Sequence, residues 1–189
     1  MKHIKILISG LVLASLSSCD RQQARMSEAA EKCDQAVHTG ALEAAETLCT
    51  LALGEQLGVK LKPAIRAERL LKLGKIKRSQ ANYAEARLLV AEFLSIREDY
   101  PGSGNTATAS GLLEMSLILA GQKQWTEGAR YLLRAISSAG QLDEKDTATL
   151  LKTHRLYVGR VEIQQDPALA AELSAAIAEI PTPRDPDPS

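Results

Sequence analysis

Between residues 67 and 100, apolar residues recur at the three- and four-residue spacing of amphipathic helices. Leu70, Leu73 and Ile76 mark one apolar face, and Val90 and Phe93 belong to a second. A short polar stretch, Ser-Gln-Ala-Asn, separates the two patterns. Two amphipathic helices with a short link predict a helical hairpin, in which the chain reverses direction.

The same stretch resembles a tetratricopeptide repeat. The residues at the offsets characteristic of that family are Gly74, Tyr83, Ala86, Phe93 and Pro101. Members of the family stack such hairpins, because one hairpin cannot bury its apolar face alone. The resemblance therefore implies an all-α fold, a right-handed superhelix of three to four tetratricopeptide-like helical hairpins. The small residues at 74 and 86 would let the two helices approach closely.

The hairpin pattern recurs along the chain at a nearly constant interval. Aligned on Ala45, Ala86 and Gly128, the units are 86 − 45 = 41 and 128 − 86 = 42 residues apart. A further 42 residues leads to Ala170. This long period resembles the repeats of kinesin light chains. The predicted helical domain spans residues 26–180, and its fourth unit is either a true repeat or a terminal cap.

Composition narrows the class further. The chain has 189 residues, and its 23 Lys and Arg balance 23 Asp and Glu, so its charge indicates no nucleic-acid partner. Aromatic residues make up only 3% of the chain, and the sequence lacks strand patterns. Both features disfavour a β-sandwich or barrel and agree with helices that pack through Ala and Leu.

The first eighteen residues have the pattern of an export signal. Lys2 and Lys5 precede a mostly apolar stretch too short for a comfortable membrane span, and small residues follow. Leu-Ser-Ser-Cys at 16–19 resembles a bacterial lipobox, which implies a lipoprotein signal peptide at 1–18 and fatty acylation of Cys19. Residues 19–25 would then tether the protein to the cell membrane, facing the periplasm, and Asp20 favours the inner membrane. The alternative is an ordinary signal peptide with a coincidental cysteine.

Two further cysteines would remain in the exported chain, Cys33 and Cys49. In an oxidising compartment an even pair of cysteines is oxidised by default. On the repeat alignment Cys33 takes the place of Gly74, and Cys49 takes that of Val90. Both would face inward across the first hairpin, and we predict a disulfide between them. The alternative is two buried thiols that act as small hydrophobic residues.

Patterns of catalytic or metal-binding residues are missing from the sequence. His38 and His154 lie in different units, and neither is near an HExxH or CxxC pattern. Glycine patterns typical of nucleotide binding or of a nucleophile elbow do not occur either. We therefore expect no enzymatic activity, no cofactor and no metal.

Binding of a protein or peptide is the function that remains. In the family that the chain resembles, ligands lie along the concave face formed by the first helix of each hairpin. Carried over to this sequence, that face would hold four cations around two leucines: Lys75, Arg78, Lys152, Arg155, Leu113 and Leu117. Such a surface would suit a peptide with acidic ends. The alternative is that these cations form an ordinary solvated helix face.

The sequence thus predicts an adaptor or scaffold that binds a client protein at the membrane, in envelope assembly or secretion. The alternative is a pilotin-like or chaperone-like carrier of an exported subunit. Residues 181–189 contain four prolines and no apolar residue, so we predict a disordered tail there.

Overall fold

The computed structural model describes the backbone of residues 2–100, 105–163 and 166–180. The side chains of residues 2–19, 56, 105, 141, 161–163 and 179 lie outside that description. Over the described part the protein is all-helical, with eight α-helices and no strand, which confirms the predicted class. The helices are α1 (Lys2–His38), α2 (Leu42–Leu53), α3 (Pro63–Ser79), α4 (Tyr83–Asp99), α5 (Asn105–Gly121), α6 (Trp125–Ile136), α7 (Glu144–Ile163) and α8 (Pro167–Ala176). Short 3-10 segments lie at Glu55–Leu57, Ala139–Gln141 and Ile177–Glu179.

Consecutive helices pair into hairpins. Helix α1 packs on α2, α3 on α4, α5 on α6, and α7 on α8. Successive hairpins contact each other through α2 and α3, through α4 and α5, and through α6 and α7. The predicted helical hairpins are therefore confirmed. The right-handed twist and the tetratricopeptide resemblance stay predictions.

The second helices of the hairpins begin at a regular interval. They start at Leu42, Tyr83, Trp125 and Pro167, so the intervals are 83 − 42 = 41, 125 − 83 = 42 and 167 − 125 = 42 residues. The first helices end with the same spacing, at residues 38, 79, 121 and 163. These intervals match the period that the sequence predicts.

Each of the first three hairpins turns through one residue with a left-handed backbone. The φ angle is 74° at Gly40, 61° at Ala81 and 60° at Lys123. In each turn the next backbone N–H donates to the carbonyl five residues earlier, at N···O distances of 2.8 to 2.9 Å. Glycine adopts this conformation freely, whereas other residues are strained in it. The same turn is therefore built three times, twice against the preference of its central residue.

Within the second hairpin a glycine brings the two helices together. A Cβ atom on Gly74 would lie 2.7 Å from Val90 Cγ2 and 3.6 Å from the Ala86 carbonyl oxygen. Contacts under 3.0 Å essentially never occur for real Cβ atoms. The predicted close approach at Gly74 and Ala86 is therefore confirmed.

A second glycine makes room for the fourth hairpin to pack on the third. A Cβ atom on Gly128 would collide with the hydroxyl of Tyr157, which is fully buried. That hydroxyl donates to the Ser116 carbonyl oxygen at 2.5 Å, and the edge of the Trp125 ring lies against Tyr157, with the ring centroids 5.5 Å apart. Burial raises the pKa of the Tyr157 phenol, so Tyr157 is a neutral hydrogen-bond donor there. The glycine at the start of α6 thus reflects a neighbour in α7.

Helix α1 runs from the expected export signal into the first hairpin. Its backbone is helical over Lys2–His38, which includes residues 19–25, the expected tether. The Cys19 side chain and the tail at 181–189 lie outside the described residues, so their predictions are carried forward as such. In the part of the chain that the structure describes, no helix is both long and apolar enough to cross a membrane.

Candidate functional site

An open groove runs along α3 and is bordered by α1, α2, α4 and α5. Its volume is about 640 Å³. It follows α3 from Ala64 to Ser79, which is about 22 Å at the helical rise per residue. Its lining residues are Val37, Leu42, Ala64, Ala67, Glu68, Leu71, Lys72, Lys75, Ile76, Ser79, Phe93, Arg97 and Ala107. We call this feature the α3 groove.

The walls of the α3 groove are mostly apolar. Ile76 and Phe93 are buried, Leu71 is partly buried, and Val37 is 42% exposed although it is apolar. Ligand pockets typically have volumes of about 300 to 1,000 Å³ with mainly apolar linings. The α3 groove has both properties.

Four of the six predicted client-binding residues lie together in a smaller cleft beside the α3 groove. This cleft has a volume of about 180 Å³, and Lys75, Arg78, Leu113 and Leu117 line it. Lys75 also lines the α3 groove, so it stands at the border between the two cavities. The predicted grouping of these four residues is present in the structure.

The other two predicted residues, Lys152 and Arg155, line neither cavity. Both are exposed on α7. Helix α7 borders the small cleft through residues nearer its start, which are Lys145, Asp146 and Thr149.

Contacts between α3 and α5 join residues that the repeat alignment does not equate. Lys75 contacts Ser110, 35 residues later, and Arg78 contacts Glu114, 36 residues later. The repeat alignment equates positions 42 residues apart, which is about two helical turns further along the next helix. These two α3 side chains therefore contact residues about two turns before their equivalent repeat positions in α5.

Glu114 is a member of the cleft that the apolar pattern does not reveal. Its side chain is only 4% exposed, and its carboxylate accepts a hydrogen bond from Arg78 Nε. It is the one charged residue in α5, whose sequence is NTATASGLLEMSLILAG, and that isolation is the signal in the sequence. A buried charge is costly without its partner, so Arg78 serves to neutralise Glu114 within the fold.

Lys75 has no such partner. Its Nζ donates to Ser110 Oγ at 3.0 Å, and no carboxylate of the described residues pairs with it. The neighbouring Lys72 is paired with Asp34. Glu68 lies seven residues before Lys75 in the same groove, and no basic group of the described residues forms an ion pair with it. The α3 groove thus holds one cation and one anion without ion-pair partners.

The predicted cysteine pair lies at disulfide distance in the first hairpin. The Cα atoms of Cys33 and Cys49 are 5.3 Å apart, and both residues are buried. The pair occupies the positions that Gly74 and Val90 hold in the second hairpin, since 33 + 41 = 74 and 49 + 41 = 90. It lies within the packed first hairpin and does not line the α3 groove.

The two histidines of the helical domain have separate surroundings. His154 is buried, and its Nε2 lies 2.7 Å from the Leu173 carbonyl oxygen, which ties α7 to α8. His38 is exposed at the end of α1. Among the residues with described side chains, no group of three or more His, Cys, Asp or Glu is placed to hold a metal ion.

Comparison with known proteins adds no family to this picture. No protein-family model matches the chain, and a search of curated proteins found no significant match. The α3 groove and the N-terminal sequence pattern are therefore the observations that bear on function.

Proposed function

We propose that this chain is a membrane-anchored periplasmic lipoprotein that serves as a protein-binding adaptor in envelope assembly or secretion. Fatty acyl groups on Cys19 hold it at the bilayer. The stacked hairpins, tetratricopeptide-like in their period, are its scaffold. The α3 groove receives a segment of the client protein.

The α3 groove is the observation that carries the proposal. Protein interiors are close-packed, so a cavity of about 640 Å³ with apolar walls is not a packing defect. Exposed apolar surface of this kind marks sites that bind another molecule. The lining residues that the structure describes include no histidine, no cysteine and no pair of carboxylates, which are common catalytic groups. These properties favour binding over catalysis.

The N-terminal pattern supports the location. Basic residues, a short apolar stretch and small residues precede Cys19, as in lipoprotein export signals. One acyl chain binds a membrane only reversibly, whereas two or more give stable anchoring. A modified Cys19 would therefore keep the helical domain at the bilayer without a spanning helix.

The anchor is tested with Cys19→Ala. Cells that express either form are fed an alkyne fatty acid, and the purified protein is examined for incorporated label. We expect label and membrane sedimentation for the unchanged chain, and neither for Cys19→Ala. Equal labelling of the two forms would contradict lipidation at this residue.

Client binding is tested by photo-crosslinking in cells. A photoreactive amino acid replaces either Val37, at the edge of the α3 groove, or Leu88, which is 72% exposed on α4 and outside the groove. We expect one defined polypeptide to crosslink at position 37 and not at position 88. The same products at both positions, or none at position 37, would refute the groove as the client site.

A further inference from the structure

We propose that the client segment in the α3 groove is an amphipathic helix that carries one acidic and one basic residue seven positions apart beside its apolar stripe. This inference rests on the proposed adaptor function and specifies the chemistry of the partner. It comes from two properties of the groove, its shortage of available polar groups and the placement of its two unpaired charges.

The shortage of polar groups selects a helix over an extended peptide. Among the lining residues whose side chains the structure describes, the polar ones are Glu68, Lys72, Lys75, Ser79 and Arg97, with no asparagine or glutamine. Besides Lys75, whose ammonium donates to Ser110 Oγ, three of these are engaged already. Lys72 pairs with Asp34, the Ser79 hydroxyl donates to the Lys75 carbonyl, and Arg97 Nε contacts the Thr108 hydroxyl.

An extended segment along the groove would have about seven residues, at about 3.3 Å each. Many of its backbone N–H and C=O groups would face apolar walls, and each buried group without a partner costs free energy. A helix satisfies its own backbone and presents only side chains. A helix with apolar residues three and four positions apart therefore fits this surface, as in other helix-in-groove complexes.

Glu68 and Lys75, the two charges of the α3 groove without ion-pair partners among the described residues, set the positions of the charged residues on the client helix. Glu68 and Lys75 are seven residues apart on α3, which places them on one face and about 10.5 Å apart along the axis. Both line the groove, and Leu71 lies between them. A second helix lying along α3 has the same rise per residue. It meets both charges with an opposite pair at the same seven-residue separation.

The test uses the client segment that crosslinks at position 37. The segment is mapped by mass spectrometry, synthesised with a fluorescent label, and titrated with the full chain while anisotropy is measured. Lys75→Glu should weaken binding by about tenfold or more, because it places like charges together. Exchanging the acidic residue of the peptide for lysine should restore binding to Lys75→Glu and weaken binding to the unchanged chain.

Two variants separate charge from folding. Lys75→Gln keeps a donor for Ser110 and removes only the charge, so it should bind with intermediate affinity and unchanged helical circular dichroism. Lys152→Glu makes the same charge change at an exposed site outside both cavities and should leave affinity within about twofold.

Three results would overturn the inference. The first is a crosslinked segment without the charge pair, or one that gains no helicity on binding. The second is unchanged affinity for Lys75→Glu. The third is saturable binding of a fluorescent sixteen-carbon fatty acid that Lys75→Glu abolishes while the peptide does not compete, which would assign the groove to a lipid. Absence of any crosslinked polypeptide at position 37 would instead refute the adaptor function itself.

Discussion

The first and second hairpins bring their helices together at equivalent positions by different means. In the first hairpin Cys33 and Cys49 lie at disulfide distance, with Cα atoms 5.3 Å apart. In the second, Gly74 leaves space that Val90 fills, so closely that a Cβ atom on the glycine would be 2.7 Å from the valine. In both hairpins the two helices come close together at these equivalent positions. A pair of cysteines at bonding distance allows this in the first hairpin, and a glycine opposite a valine allows it in the second.

The two hairpins also differ in the number of neighbouring hairpins that pack on them. The first hairpin packs on one neighbouring hairpin, mainly through α2 and α3, whereas the second is packed on both sides, through α2 and α3 and through α4 and α5. A hairpin with one neighbour buries less apolar surface and gains less from packing. A disulfide between Cys33 and Cys49 would therefore contribute most where packing contributes least.

The largest expected effect is the loss of the link in the first hairpin. Cys33→Ser with Cys49→Ser should lower the free energy of unfolding by about 3 kcal/mol, because the link closes a loop of about 16 residues. Urea denaturation of the oxidised protein, the reduced protein and the double variant measures it. Equal stability of the oxidised and reduced forms would show that the two thiols act only as small hydrophobic residues.

The corresponding change in the second hairpin is Gly74→Ala. The added methyl group would overlap Val90, and overpacking of this kind costs about 1 to 3 kcal/mol. Adding Val90→Ala should recover part of the loss, because it removes the overlapping atoms. Gly159→Ala is the matched control, since nothing lies within 4 Å of a Cβ at that helical position. A control as destabilised as Gly74→Ala would argue against close packing as the cause.

The glycine and valine of the second hairpin can be transferred to the equivalent positions of the first hairpin. Cys33→Gly with Cys49→Val places the glycine and valine of the second hairpin at equivalent positions. We expect this variant to be more stable than the double serine variant by about 1 kcal/mol, because it buries apolar atoms in place of two hydroxyls. Thermal unfolding of the two variants measures the difference. A graft less stable than the serine variant would show that the two sites are not equivalent.

Substitutions at the left-handed residues of the first two hairpin turns, Gly40 and Ala81, should change the free energy of unfolding in opposite directions. Gly40→Ala should destabilise the first hairpin by about 1 kcal/mol, because alanine is strained at a left-handed φ. At the equivalent position Ala81→Gly relieves strain and should stabilise the second hairpin by up to about 1 kcal/mol. Urea midpoints of the two variants give the signs, and a shift in the same direction for both would contradict an equivalent turn.

The smallest expected effect is a loss of stability at low pH from the contact between Glu46 of the first hairpin and Lys77 of the second. Hydrogen bonds from Lys77 and then Gln80 hold the pKa of Glu46 below its ordinary 4.5. Burial lowers the pKa of Lys77, but hydrogen bonds to Glu46 and Glu85 outweigh burial and raise it. Since the Glu46 pKa is depressed, its stabilising contribution is complete above pH 4.5 and is lost as the pH falls through the folded value.

Lys77→Met checks this contribution. We expect a stability difference between the unchanged chain and Lys77→Met at pH 7 that shrinks at pH 3.5, and urea denaturation at both values measures it. The change should be smaller than any above, because Glu46 and Glu85 are partly screened by solvent. A difference that grows on acidification would have the wrong sign for a depressed carboxylate pKa.

Much of the fold is predictable because it depends on spacing along the chain. The apolar pattern around Leu70 and Phe93 predicts the helices, the interval between Ala45, Ala86 and Gly128 predicts the period, and the position of Cys33 predicts its neighbour. The left-handed turn at Lys123 is not predictable in the same way. The hydrogen bond from the Gln124 backbone N–H to the Leu119 carbonyl closes this turn, and the residue type at 123 does not favour its conformation.

The candidate site is predictable only in part, because it depends on contacts between hairpins. Repeat alignment groups Lys75 with Leu113 and Leu117, and the three residues line one cleft, while their role in client binding stays a prediction. It also includes Lys152, which is exposed on α7 and lines neither cavity. It also treats Arg78 as available, although Glu114 holds that guanidinium in the fold.

The most direct test of the adaptor function is hydrogen–deuterium exchange of the full chain with and without the purified client. We predict that the client slows exchange in the end of α1, in α3 and in the start of α5, three of the elements that line the α3 groove, while α6 and α8, which do not line it, are unaffected. Slowed exchange confined to α6 and α8, or no change anywhere, would contradict the assignment of the α3 groove as the client site.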